Sequence, residues 1–328
     1  MTIFDTAPPK GTVRDWLDSQ AEVGGAAIAY KFTDGTAPLS WCDMRDRARN
    51  MARYLTELGL TKGESLAVMM PNGKPALEAL FASLYGGFRV TMINLAAGND
   101  AIRYALEHSE ARYAFVGKAQ QDQFSETRSN LVAALPDIPS ETRLAQLHSL
   151  DAGDDALLMY TSGTTGRPKG VVHSHSSLLA GGWTTATAHA LTPADCGYCV
   201  LPICHINGLC VSVMGSLISQ SQLLVAPKFS ASRFWSDIDT GAATWFSVVP
   251  TIISHLLHGA KDPNESVKAR LRFGRSASSA LAPDVQTAFE ARFDVPIVET
   301  MGMTETAAQM LSNPLPPGLR KIGSPGLA

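Results

Sequence analysis

No apolar run in the sequence reaches the roughly 18–20 residues that a helix needs to cross a bilayer. The longest, around Gly208 to Ile218, is interrupted by serines and a glycine and suits a buried helix. A surplus of basic charge is also missing. The 27 Lys and Arg stand against 30 Asp and Glu, a formal net charge of −3, so there is no electrostatic case for nucleic acid or for an anionic membrane surface. The first residues, Met1-Thr2-Ile3-Phe4-Asp5, lack the basic segment and apolar core of a secretory signal, and a cytoplasmic protein without membrane insertion is the expectation. Cysteine is scarce and odd in number: Cys42, Cys196, Cys199, Cys204 and Cys210 read as reduced thiols, not as a disulfide framework. Four of them fall between residues 196 and 210, where a C-x-x-C and a later Cys-His raise the question of zinc. The neighbouring Val200, Leu201 and Ile203 point instead to a buried strand, in which cysteine behaves as a small apolar residue.

What is present is enough apolar material for a large core, 45% of 328 residues. It is arranged as repeated strand–helix alternation, which predicts an α/β fold of mostly parallel sheets flanked by helices, in two subdomains (about 1–165 and 166–328). In the first, Met44, Ala48, Met51, Leu55 and Leu58 form one helical stripe over 43–58. Strands are predicted at Ser65–Met70, Val90–Asn94 and Tyr113–Val116, and helices at Pro75–Tyr85 and Asp100–His108. Residues 118–153 carry little pattern and read as a surface connector with one helix around Ser125–Ala134. Alternation resumes at Ala156. Strands are then expected at Cys199–Leu201, Leu223–Ala226, Thr244–Val248, Arg272–Gly274 and Pro296–Glu299, and helices at Gly208–Ser219, Ala231–Thr240, Pro250–His258 and Pro283–Phe293.

The most informative stretch runs from Met159 to Gly170, Met-Tyr-Thr-Ser-Gly-Thr-Thr-Gly-Arg-Pro-Lys-Gly. Glycines allow close backbone approach, and successive N–H groups, hydroxyls and a lysine make a cradle for phosphates. It is not a P-loop, because Lys169 lies between Pro168 and Gly170. A plain surface loop is the alternative, but hydroxyls, glycines and both cations fall together between a strand and a helix, the usual place for a phosphate. A second stretch, Glu299 to Thr306, follows a strand; Thr304 could donate to a phosphate and Glu305 could hold a divalent cation through a hard oxygen. A lone His205 at a strand end is more often structural than catalytic, and Arg275 to Leu281 is by itself a tight turn of small residues.

Residues 159–170 resemble the signature loop YTSGTTGxPKG of the adenylate-forming (ANL) superfamily and match it at every fixed position. That superfamily includes acyl-CoA synthetases, aryl-CoA ligases, luciferases and peptide-synthetase adenylation domains. Residues 299–305 are similar to its YGxTE motif, with Met301 where an aromatic is usual. Residues 202–208 resemble its PxFHxxG segment, Val249-Pro250 its VP segment and 275–281 its G-A-P-L-like loop. The resemblance implies the large N-terminal domain of an acyl-CoA synthetase, an AMP-forming acid–thiol ligase. Such an enzyme takes ATP, Mg²⁺, a small carboxylic acid and CoA as co-substrate.

By that resemblance the catalytic residues are Thr161, Lys169, His205, Thr304 and Glu305, with Glu305 the Mg²⁺ ligand. The nucleotide falls to Thr161, Ser162, Gly163, Thr164, Thr165, Gly166, Lys169, Ser278, Ser279, Ala280, Glu299, Thr300, Met301, Gly302, Met303 and Thr304. The acid falls to His205, Ile206, Asn207, Val249, Met301 and Gly302. No carboxylate lies between Cys196 and Asp237 to pair with an α-ammonium group, which favours a plain carboxylic acid over an amino acid. Loading of a carrier protein and a non-catalytic nucleotide-binding role are the alternatives, and a homodimer is compatible with either. Members of the superfamily continue with a barrel and a mobile C-terminal domain, so the chain reads as a truncated form that binds adenylates but turns over poorly.

Overall fold

The computed structural model describes residues 7–127, 133–135, 144–161 and 168–328. In chain order its first elements are α1 (Val13–Gly24), β1 (Ile28–Phe32), β2 (Leu39–Ser40), α2 (Trp41–Glu57), β3 (Ser65–Met69), α3 (Lys74–Gly86), β4 (Arg89–Met92), α4 (Asn99–His108) and β5 (Ala111–Val116). Next come α5 (Gln121–Thr127), β6 (Ala133–Leu135), β7 (Asp155–Thr161), β8 (Lys169–Ser174), α6 (His175–Ala188), β9 (Cys196–Cys199), a π-helical segment (Asn207–Met214) and α7 (Gly215–Ser219). The remainder is β10 (Gln222–Val225), α8 (Phe234–Gly241), β11 (Trp245–Val248), α9 (Pro250–Gly259), α10 (Glu265–Arg270), β12 (Phe273–Ser276), α11 (Pro283–Phe293), β13 (Ile297–Met303) and β14 (Ala308–Ser312).

Packing groups these elements into two units, Lys10–Ala27 with Leu39–Leu179, and residues 7–9 and Ile28–Pro38 with Ala180–Ala328. In the first, the strand order is β6-β5-β3-β4-β7-β8, parallel except where β8 runs antiparallel to β7. Every residue of β3 is buried, the continuous apolar pattern of a central parallel strand. Two helices start on capping boxes. Thr12 and Asp15 cap α1, Ser40 and Asp43 cap α2, and each pair satisfies two otherwise orphaned N–H groups. Helix α3 is apolar on all sides and buried from Ala76 to Gly86, ending where Gly87 takes the left-handed conformation at φ 84°.

The second unit orders its strands β14-β13-β12-β11-β9-β10-β1, all parallel except the β13–β14 pair. Strand β1 belongs here because Tyr30 to Phe32 pair with Leu223 to Val225. Its core is rich in aromatics: Phe234 packs edge-on to Trp235 and Phe246, and Trp235 leans on Phe293 at 5.1 Å between ring centroids. Each such ring buried contributes roughly 2–3 kcal/mol.

The α/β class is as expected, and several elements differ from the sequence reading. The helix placed at Ser125–Ala134 is α5, starting at Gln121 and ending at Thr127; Ala133–Leu135 is a strand parallel to β5. Polar sequence of low contrast gave no cue to its register. The helix expected at Gly208–Ser219 is wound as π-helix to Met214 before becoming α-helical. It is buried throughout that turn, so hydrophobic period could not reveal its pitch. The strand placed at Cys199–Leu201 ends at Cys199. Among the described residues, no helix is long and apolar enough to cross a membrane.

Candidate active site

The carboxyl ends of β12 and β13 build the site in the second unit. Strand β12 opens into the loop Ala277–Leu281, and β13 turns back through Thr304–Thr306 into β14. The pairing of β13 with β14 shifts register between Met301 and Gly302. A Cβ on residue 302 would overlap the carbonyl oxygen of Ala308, so only glycine lets the two backbones approach this closely. Ser278 sits at φ 77° and Ala308 at φ 110°, left-handed conformations that cost non-glycine residues of order 1–3 kcal/mol and cluster at functional sites.

Two hollows meet there. The larger, about 260 Å³, is lined by Ser278, Ser279, Ala280, Glu299, Thr300, Met301, Gly302 and Pro325. Seven of the residues expected at a nucleotide thus share one wall. Met301, 43% exposed, stands at that wall. Glu299 is buried; its Oε1 accepts the Leu281 N–H at 3.0 Å, while Oε2 is buried with no hydrogen-bond partner among the described residues. An unpaired buried acceptor is costly, and one facing a hollow is suited to a ligand donor.

The smaller hollow, about 20 Å³, shares Ser278 and Gly302 with the first and is otherwise lined by Ile206, Asn207, Val211, Arg275, Ala277 and Ala308. Three of the residues expected at the acid, Ile206, Asn207 and Gly302, thus share this lining. Met301 faces the larger hollow, Val249 packs on the apolar core as the N-cap of α9, and His205 is exposed. Partial desolvation holds the His205 imidazole below its ordinary pKa. The floor is a buried polar network. Arg275 Nη1 donates to Asn207 Oδ1 at 2.8 Å and Ser247 Oγ at 3.1 Å, and its Nε donates to Gln309 Oε1 at 3.2 Å. Ser247 Oγ donates to Asn207 Oδ1, and Asn207 Nδ2 to Ser278 Oγ at 3.3 Å. Asn207 and Val211 enter from the π-helical turn, a winding that is rare and frequent at functional sites.

Met303 and Glu305 are exposed and Thr304 half-buried in the turn between β13 and β14. In the other unit, Thr161 closes β7 and Lys169 opens β8, the two facing each other in register; Thr161 Oγ1 reaches the Lys169 carbonyl at 3.5 Å. Tyr160, just before, is anchored by His108 Nδ1 at 2.9 Å. Ser162, Gly163, Thr164, Thr165 and Gly166 lie outside the described residues. Cys196, Cys199 and Cys210 are buried free thiols, and burial pushes Cys196 and Cys199 up to about 11. Among the described residues, no three His, Cys, Asp or Glu side chains cluster as metal ligands would.

Arg275, Ser247 and Gln309 were not anticipated as site residues. The sequence reading placed Arg275 in a tight turn just past a strand ending at Gly274, whereas β12 runs to Ser276 and is buried throughout, Arg275 included.

The AMP-binding enzyme family matches residues 17–328, and the chain belongs to it. It is 40% identical over 292 residues to a sulfoacetate–CoA ligase of Cupriavidus necator, covering 85% of this chain and 57% of that protein. It is 31% identical over 303 residues to an oxalate–CoA ligase of Arabidopsis thaliana, covering 87% of this chain and 59% of that one. ATP-bound MatB from Rhodopseudomonas palustris superposes with a TM-score of 0.86 at 25% identity, over 98% of this chain and 65% of that chain. The anthranilate CoA ligase AuaEII with anthranoyl-AMP shares the fold at 0.86 and 21% identity, over 99% and 65%. The chain spans less than two thirds of the length of these relatives.

Proposed function

We propose that this chain is the nucleotide- and acid-binding part of an AMP-forming acid–CoA ligase. A carboxylate oxygen of a short acid bonds to the α-phosphorus of ATP and pyrophosphate leaves. The CoA thiolate then bonds to the acyl carbon and AMP leaves with the electron pair. The observation that carries this reading is the pair of adjoining hollows at Ser278 and Gly302, whose walls bring residues 277–280 and 299–302 together.

Bringing two anions together makes charge neutralisation and alignment the main catalytic task. Lys169 supplies a cation, and Thr161 and Thr304 supply hydroxyl donors, for the phosphates. Glu305, an exposed carboxylate at the β13–β14 turn, has the hard oxygens that suit Mg²⁺, which would offset phosphate charge when bound. Glu299 Oε2 is an acceptor for the amino group of adenine. Names among the relatives support CoA as the acceptor, and the acids they act on (sulfoacetate, oxalate, 2-succinylbenzoate) each carry two acidic groups.

The test is acid-dependent exchange of labelled pyrophosphate into ATP by the complete polypeptide, followed by CoA-dependent release of AMP. Both are expected. AMP binding with no exchange for any short acid would leave a nucleotide-binding protein without ligase chemistry, and release that needs a carrier-protein thiol in place of CoA would change the acceptor.

A further inference from the structure

We propose that Arg275 selects the acid, and that the acid carries a second anionic group, a carboxylate or sulfonate, which docks on this guanidinium. The inference rests on the ligase reading above and adds the charge of the substrate and the residue that reads it.

Arg275 is 2% exposed, and its three hydrogen bonds go to neutral oxygens of Asn207, Ser247 and Gln309. Among the described residues no carboxylate lies within ion-pair distance, and its Nη2 makes no hydrogen bond. Burying a cation without a counter-charge is expensive, and natural interiors pair such groups. Burial alone pulls this guanidinium down to about 9. A structural post in this position needs no charge: a neutral side chain could serve Asn207, Ser247 and Gln309 without the desolvation cost. The charge is explained if an anion arrives with the ligand.

The hollow that Arg275 lines is small and otherwise neutral, and it adjoins the larger one, sharing Ser278 and Gly302 with it. An acid whose reacting carboxylate faces the larger hollow therefore turns its far end toward Arg275. A planar, five-donor guanidinium suits carboxylate and sulfonate oxygens. A methyl or phenyl end would leave the charge buried and unanswered.

The experiment is isothermal titration of the chain with three non-hydrolysable acyl-sulfamoyl adenosines of equal acyl length, ending in carboxylate, sulfonate or methyl, and with AMP. The anion-ended compounds are expected to bind about 100-fold more tightly than the methyl-ended one, the scale of one buried charged contact. Arg275→Met is expected to abolish that preference while AMP affinity stays within a few-fold, and Arg275→Lys to restore part of it. Equal or tighter binding of the methyl-ended compound by the unaltered chain, with AMP bound normally, overturns the proposal and leaves the ligase reading standing. No binding of AMP or any adenosine overturns both. If Arg275→Met does not fold, the three compounds on the unaltered chain still decide.

Discussion

Each unit ends its parallel sheet in one antiparallel pair, β7–β8 in the first and β13–β14 in the second, and each pair carries motif residues, Thr161 and Lys169 in one and Met301 to Met303 in the other. The pairs are built differently. Beside β7–β8 the anchoring is by Tyr160 and His108, Lys169 and Gly170 are exposed, and a Cβ on Gly170 would press mainly on the end of the Leu158 side chain. At β13–β14 the backbones touch, Gly302 is obligatory, two residues are held in left-handed conformations, and buried Arg275 bonds to Gln309 of β14. In the proposed reading the first serves any polyanion. The second is a rigid, strained corner where the proposal places recognition of the acid, and strain is tolerated there because the surrounding core fixes it.

This contrast can be broken in several ways, taken from the largest effect down. In the complete polypeptide, Lys169→Ala at the start of β8 and Glu305→Gln after β13 are each expected to lower pyrophosphate exchange by about 100-fold or more. An unchanged rate in either variant would remove that residue from the proposed chemistry. The next effect is pH dependence, since each unit holds a buried neutral histidine. Desolvation pulls His175 down to about 4 and His189 to about 3. Both lie below the ordinary value near 6.5, so above that pH neither state binds the proton and nothing changes. As pH falls through 6.5 the unfolded chain takes up protons that the folded one refuses, and stability drops until the folded pKa is reached. His175, whose Nδ1 accepts the Val13 N–H at 3.3 Å, accounts for about 3 kcal/mol of that loss. Urea unfolding of His175→Asn between pH 7 and 4 should be correspondingly flatter.

Gly302→Ala is expected to destabilise by about 2 kcal/mol because backbone must move, whereas Gly170→Ala should cost under about 1 kcal/mol because only the end of Leu158 must give. Equal costs in thermal unfolding would erase the proposed difference in rigidity. Smallest, Ser278→Gly should stabilise by up to about 1 kcal/mol through release of the φ 77° strain while weakening adenylate binding, a stability gain at the expense of the site.

Much of this was legible beforehand. Strand–helix alternation announced both sheets, and residues 159–170 and 299–305 announced the family, because residue type and spacing alone carry that signal. The pairing of β1 with β10 was not legible: five residues give little pattern, and their partner lies almost 200 positions away. Strand β14 was missed for similar reasons, being short and made by the return of β13. Arg275 was visible as a letter but not as a buried charge, since whether a strand arginine faces water or a neutral network depends on Asn207, Ser247 and Gln309, contributed by three separate elements.

The π-helical turn at Asn207–Met214 has a consequence for how such a pocket changes over time. A π-turn holds one residue more than an α-turn. Deleting a single residue between Leu209 and Val213 would let the segment relax to α-helix with the chain on either side kept in phase, so that Asn207 still met Arg275 while the residues beside the deletion moved by one place. The wall of the hollow at Val211 would then carry a different side chain with no substitution made. A pocket wall built this way is open to change by length as well as by substitution, and comparisons of pocket residues position by position would miss the step.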